Sequence, residues 1–175
     1  FKNITGLYIL EMLKNQLEAK RGAKIPFDEI TAYVENCPVD QFVDVGAEVF
    51  AQNEFDVKEA INSLLGTKFE NDFDYFKVIY LSLAKKYHAT LQDIETILQK
   101  KFKKLHMIGG GTQSKFLCQL VSNVTGLEVI AGPMEATAYG NLLAQMIALK
   151  EFDSLEQGRK VILDSSEFKV YHPQV

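Results

Sequence analysis

Apolar residues recur at spacings of three and four over residues 73–97: Phe73, Phe76, Ile79, Tyr80, Leu83, Tyr87, Leu91, Ile94 and Ile97. That spacing draws one stripe along a helix, which predicts a long helix over about residues 72–100 with the stripe in the core. Leu7, Ile9, Leu10, Leu13 and Leu17 predict an earlier helix over about 4–20, stopped by Gly22. Pro26 and Asp28 open a shorter one through about Val34, and Asp56 is a plausible N-cap for a third that ends before Gly66. Residues 35–55 lack either period and read as irregular chain with short extended pieces at about 41–43 and 48–50.

The pattern changes after Lys104. A short apolar strand at about 105–108 runs into Gly109-Gly110-Gly111, then a helix over about 112–125 that Gly126 ends. A second strand follows at about 127–130, then the turn Ala131-Gly132-Pro133, a helix from about 135 to 149, another over about 154–163, and a tail around 168–171. Two strands joined by a helix predict a parallel βαβ unit. Three adjacent glycines cost backbone entropy and are placed where another group must approach the chain closely. At a strand-to-helix turn, outward N–H groups favour a nucleotide phosphate or ribose. The alternative is a tight helix–strand crossing with no ligand.

Bulk properties narrow this only slightly. The 175 residues carry a net charge of −4, which argues against a general nucleic-acid binder. The basic run Lys100-Lys101-Phe102-Lys103-Lys104 reads as a solvated helix end, where cations complement the dipole. Cys37 and Cys118 lie far apart, and His88, His106 and His172 are scattered, so no zinc-type spacing exists. Free thiols suit a reducing cytosol, and a cytoplasmic protein is expected. No membrane span or signal peptide is visible. The chain opens at Phe1 within a helical pattern, which leads us to expect a piece of a larger protein.

Two common nucleotide sites fit poorly. Gly109, Gly111 and Ser114 fall on the positions of G-x-G-x-x-G, but that dinucleotide fold wants an acid ending the second strand. Here the strand ends Ile130-Ala131-Gly132-Pro133, and no G-x-x-x-x-G-K-[ST] loop is present. A third kind of site does fit. Leu105-His106-Met107-Ile108-Gly109-Gly110-Gly111, Gln113 and Gly132-Pro133-Met134-Glu135-Ala136-Thr137-Ala138-Tyr139-Gly140-Asn141 resemble the nucleotide-binding segment of the FGGY carbohydrate kinases, the rhamnulokinase group in particular. The opening Phe1-Lys2-Asn3-Ile4-Thr5-Gly6-Leu7-Tyr8-Ile9-Leu10 resembles the same group where its chain enters the ATP-binding lobe.

The resemblance implies an α/β fold: part of an actin-like, ribonuclease-H-like ATPase lobe, helix-rich with a short parallel βαβ unit. Residues 1–175 would form the C-terminal portion of the family's C-terminal, nucleotide-binding domain. The N-terminal sugar-binding domain, the catalytic Asp and the phosphate-contacting hairpin would precede it. In the parent enzyme ATP and magnesium would serve phosphoryl transfer to a ketose, L-rhamnulose in this group, and the piece alone is expected to be inactive. A non-catalytic nucleotide-binding or interaction module on the same lobe is the alternative.

Residue by residue, Gly110 matches the position whose backbone borders the nucleotide, with Gly109 and Gly111 shaping the turn. Ser114 stands where the family commonly has Asn near the adenine. It either contacts adenine or satisfies a backbone group in the helix's first turn. Glu11 stands at a nucleotide-contacting Gln, or is a solvated helix-face residue. Asn3 matches a sugar contact. Glu135 reads as complementing or capping the helix that follows, Gly140 as serving its packing, and Cys118 as core. A lobe lacking neighbouring strands should leave a sheet edge and apolar faces uncovered, and a homodimer is expected to cover them.

Overall fold

The computed structural model describes residues 4, 7–52 and 54–174. They group into two compact units, residues 1–100 and 101–175, each described by itself. The first is helical: α1 (Leu7–Arg21), α2 (Phe27–Asn36), a 3-10 turn at Glu48–Ala51, α3 (Val57–Leu65) and α4 (Asp74–Leu98). The short extended piece expected near residue 48 is therefore that 3-10 turn.

The core is built where α1 and α2 pack on α4 and α1 packs on α3. Ile9, Leu10, Leu13 and Leu17 of α1 are buried, as are Tyr75, Phe76, Ile79, Tyr80 and Leu83 of α4. The irregular segment is pinned to α4 by polar contacts. The Val43 N–H donates to Ser82 Oγ (2.9 Å), which donates in turn to the Val78 carbonyl (2.6 Å). α3 is capped at both ends as expected: Asp56 accepts from the Glu59 N–H (2.9 Å), and left-handed Gly66 closes on Asn62.

The α4 stripe is core over only part of its length. Burial ends at Ala84, and Ile97 is 78% exposed. The cause is reach: 25 residues of helix extend about 37 Å, whereas the 15 residues of α1 cover about 22 Å.

Glu18 fastens the turn between α1 and α2. Its buried carboxylate accepts from the Ile25 N–H (2.8 Å), Lys14 Nζ (2.8 Å) and Lys24 Nζ (3.0 Å). These bonds, the backbone one foremost, hold its pKa down at about 2 against 4.5. A carboxylate so depressed contributes stability that is complete above pH 4.5 and is lost as pH falls through about 2. Acid titration of the chain should lose stability over that window, and Glu18→Gln should flatten the loss. Equal acid sensitivity in both proteins, followed by circular dichroism, would count against this role.

The second unit holds β1 (Lys104–Met107), a 3-10 turn at Gly110–Gln113, α5 (Lys115–Thr125), β2 (Glu128–Ala131), α6 (Ala136–Ala148), α7 (Leu155–Ser165) and β3 (Lys169–Tyr171). β1 and β2 are parallel, with Lys104 opposite Glu128 and Met107 opposite Ala131, as the βαβ expectation requires. The tail is a third strand, β3, antiparallel to β2 with Val129 opposite Tyr171. The order β1-β2-β3 leaves β1 at an edge.

α5 covers one sheet face, where Leu117, Cys118 and Val121 are buried along with Val129 and Ala131. It also anchors β3: Ser122 Oγ reaches the Leu127 carbonyl (2.8 Å) and the Tyr171 carbonyl (3.2 Å), and Gln119 Nε2 donates to the His172 carbonyl (2.8 Å). The other face carries Lys104 paired with Glu128 at 2.8 Å. α6 packs on α7 with buried Leu143 against Gly158, where a Cβ would fall 1.8 Å from Leu143 Cδ1. Gly140, expected to serve the packing of this helix, is exposed and has nothing within 4 Å of where its Cβ would stand.

Candidate functional site

The glycine turn leaves the C-terminal end of β1 and is fixed by bonds to its neighbours. Gly109 has φ 81° and ψ −169°, a conformation that side-chain-bearing residues avoid. Its N–H donates to the Pro133 carbonyl (3.4 Å), and its carbonyl accepts from both the Thr112 N–H (3.1 Å) and Thr112 Oγ1 (2.7 Å). The Gly132 N–H donates to the Met107 carbonyl (2.8 Å). The two loops that follow β1 and β2 thus grip each other at the same end of the sheet.

The helix expected to begin at Thr112 begins later. Residues 110–113 form a 3-10 turn, and Ser114 is the N-cap of α5, its Oγ accepting from the Leu117 N–H at 3.2 Å. Thr112, held on Gly109 by two bonds, takes up the tighter turn before the α-helix can start. Ser114 therefore does satisfy a first-turn backbone group. Its hydroxyl proton is still able to reach a second acceptor.

Gly110 is the informative position. Its φ lies outside the left-handed region and its Cβ would meet nothing within 4 Å. Neither conformation nor packing within the described residues requires glycine there. A helix–strand crossing would place atoms against it, and none is present. Gly110 and Gly111 open the 3-10 turn, and the first N–H groups of a helical turn have no acceptor within it, so two adjacent donors lie beside the bare Gly110 backbone. Such a surface can take the polar edge or anionic group of a flat ligand.

Below the turn, Cys118 is fully buried with its Sγ 3.9 Å from the Gly111 and Thr112 carbonyls. Burial pushes its thiol up to about 11, so it packs as a neutral core group. Glu135 precedes α6 at the N-cap position, but its side chain makes no cap bond, and its backbone conformation (φ −94°, ψ 40°) explains why. The expected cap is absent. His106 is exposed on β1.

Glu11 is exposed on α1 of the first unit, and Asn3 lies outside the described residues. Among the described residues no group of three or more His, Cys, Asp or Glu is placed to hold a metal, so magnesium is assigned no ligand here. No helix is long and apolar enough to cross a membrane. Thr112 and Gly132 were not singled out by the sequence as site residues. Gly132 contributes through a backbone bond and Thr112 through its N–H and its hydroxyl, local geometry that composition does not display.

Comparison with known proteins bears directly on the turn. Residues 56–149, which include β1, the glycine turn, β2 and α6, match the family described as the FGGY family of carbohydrate kinases, C-terminal domain. The chain belongs to this family. The FGGY C-terminal domain is a ribonuclease-H-like ATPase lobe, in keeping with the helix-rich α/β structure and its parallel strand pair. Among FGGY relatives, the rhamnulokinase of Bacillus subtilis (strain 168) is 34% identical over 177 residues, covering 99% of this chain. Those of Lactiplantibacillus plantarum and Bacteroides thetaiotaomicron are 32% and 30% identical, each also over 99% of it. The chain spans 36% of the length of each of these three FGGY proteins.

Proposed function

We propose that the chain supplies one wall of the ATP site of a rhamnulokinase-type sugar kinase, with Gly109, Gly110 and Gly111 bordering the nucleotide and Ser114 beside them. The observation that carries this reading is Gly110: its backbone is bare where the described residues give no reason for glycine. The family membership and the rhamnulokinase relatives support the nucleotide as the missing neighbour. Glu11 as a further nucleotide contact and Asn3 as a sugar contact rest on the sequence resemblance.

The parent reaction would transfer the γ-phosphoryl group of ATP to L-rhamnulose, giving L-rhamnulose 1-phosphate and ADP. Such transfer depends on aligning the acceptor hydroxyl with the phosphorus and on spreading charge with magnesium and donors. ATP, with its magnesium, supplies the phosphoryl group. This chain's residues, in our reading, orient the nucleotide with backbone N–H groups. No general base among them is assigned, so we expect binding without turnover.

Isothermal titration with ADP should give a dissociation constant on the order of 0.1–1 mM, because one wall supplies few contacts. Mixing the chain with ATP, magnesium and L-rhamnulose should release no ADP above background. Turnover would overturn the division of labour proposed here, and absence of nucleotide binding would overturn the ATP-site reading.

A further inference from the structure

We infer that Gly132 is a positioning residue for the glycine turn, and that segment 167–168 ahead of β3 holds it in place from behind. The inference rests on the nucleotide reading above and extends it to residues that touch no ligand. Gly132 lies in the loop after β2, and that loop makes two bonds to the strand and turn that carry the site. Its own N–H donates to the Met107 carbonyl (2.8 Å), and the neighbouring Pro133 carbonyl accepts from the Gly109 N–H (3.4 Å). Gly109 is thereby held between the Pro133 loop on its amide side and Thr112 on its carbonyl side.

Gly132 also has little freedom to change. Its φ is 126°, which side-chain-bearing residues avoid, and a Cβ there would stand 2.8 Å from the Glu167 carbonyl oxygen and 3.4 Å from Phe168 Cδ1. The Glu167 oxygen is backbone and cannot swing aside as a side chain would. A methyl at this position must therefore push the loop or segment 167–168 away. Moving the loop lengthens the Gly109–Pro133 bond, already 3.4 Å, and frees Gly109 from its conformation. The neighbouring β3 is fastened to α5 through the Tyr171 and His172 carbonyls, which makes the rear support firm.

The consequence is that the turn's shape depends on three separated stretches of chain: the turn itself, residues 131–133, and residues 167–171. Gly110 and Gly111 point their N–H groups correctly only while that stack is intact. Gly132→Ala should therefore weaken nucleotide binding without touching the nucleotide, and Phe168→Ala should do so less severely.

The test measures ADP affinity and amide hydrogen exchange at Gly109 in the wild-type chain, Gly132→Ala, Phe168→Ala and, as a control in open space, Gly140→Ala. We expect about a tenfold weaker affinity and faster Gly109 exchange in Gly132→Ala, a smaller change of both in Phe168→Ala, and neither in Gly140→Ala. The link between faster exchange and weaker binding separates positioning from a general loss of fold, which thermal unfolding reads independently. If Gly132→Ala does not fold, Phe168→Ala alone decides: unchanged affinity and exchange overturn the inference. Wild-type binding that Gly132→Ala matches within twofold overturns it while sparing the nucleotide reading. No binding by the wild type, with faster Gly109 exchange in Gly132→Ala, overturns the nucleotide reading and the inference built on it.

Discussion

Phe76→Ala should lower the chain's stability by about 3–5 kcal/mol, the range for an aromatic removed from a closed core. Phe76 is fully buried in α4 and meets Phe73 edge-to-face at a centroid distance of 5.5 Å, while Phe73 meets Tyr33 in the same way at 5.5 Å. The substitution opens a cavity and breaks this aromatic chain, so transfer, cavity and ring-contact terms all act in one direction. Tyr33 offers no relief, since its hydroxyl donates to Asp74 Oδ1 (2.7 Å), a bond that holds its pKa up at about 12. Ile97→Ala, on the exposed end of the same helix, should stay within about 0.5 kcal/mol. Urea unfolding measures both. A loss below about 1 kcal/mol for Phe76→Ala would mean that α4 is not the centre of the first unit's core.

Gly110→Leu should have the opposite profile. The site for the new side chain is open and the backbone conformation ordinary, so the melting temperature should move by no more than about 2 °C. Nucleotide affinity should fall about tenfold or more, because four carbons would occupy the space in which the ligand approaches the backbone. Stability and function separate cleanly at this residue, which is what a glycine kept for a ligand predicts. Gly109→Leu would not separate them, since φ 81° makes that substitution costly to the fold as well.

How far the sequence disclosed this structure depended on whether the deciding interaction was local. Asp56 opened a helix and Gly66 and Gly126 closed helices where expected, because capping involves neighbours within four residues. The parallel β1–β2 pair followed from the helix between the strands, a constraint of connection rather than of packing. The exposed end of α4 was not legible: the stripe continues through Ile97, and only the length of the helices beside it limits burial. β3 has three residues, too few for an alternating pattern, and its place is set by β2 and α5. At the candidate site, Gly109 to Gly111 stood out because adjacent glycines are conspicuous. The Gly132 contact to Glu167 did not, because it joins backbones 35 positions apart. Gly140 and the Glu135 cap show the reverse error, local motifs given roles that their surroundings do not supply.

The central claim is that the Gly110–Gly111 backbone faces a nucleotide, and amide resonances report on it directly. Titrating ADP into the isotope-labelled chain should produce saturable shifts concentrated at Gly110, Gly111 and Ser114. Gly126, at the far end of α5, should stay unmoved. Gly110 and Gly111 amides that hold still at millimolar ADP, or shifts that gather elsewhere while these two are silent, would contradict it.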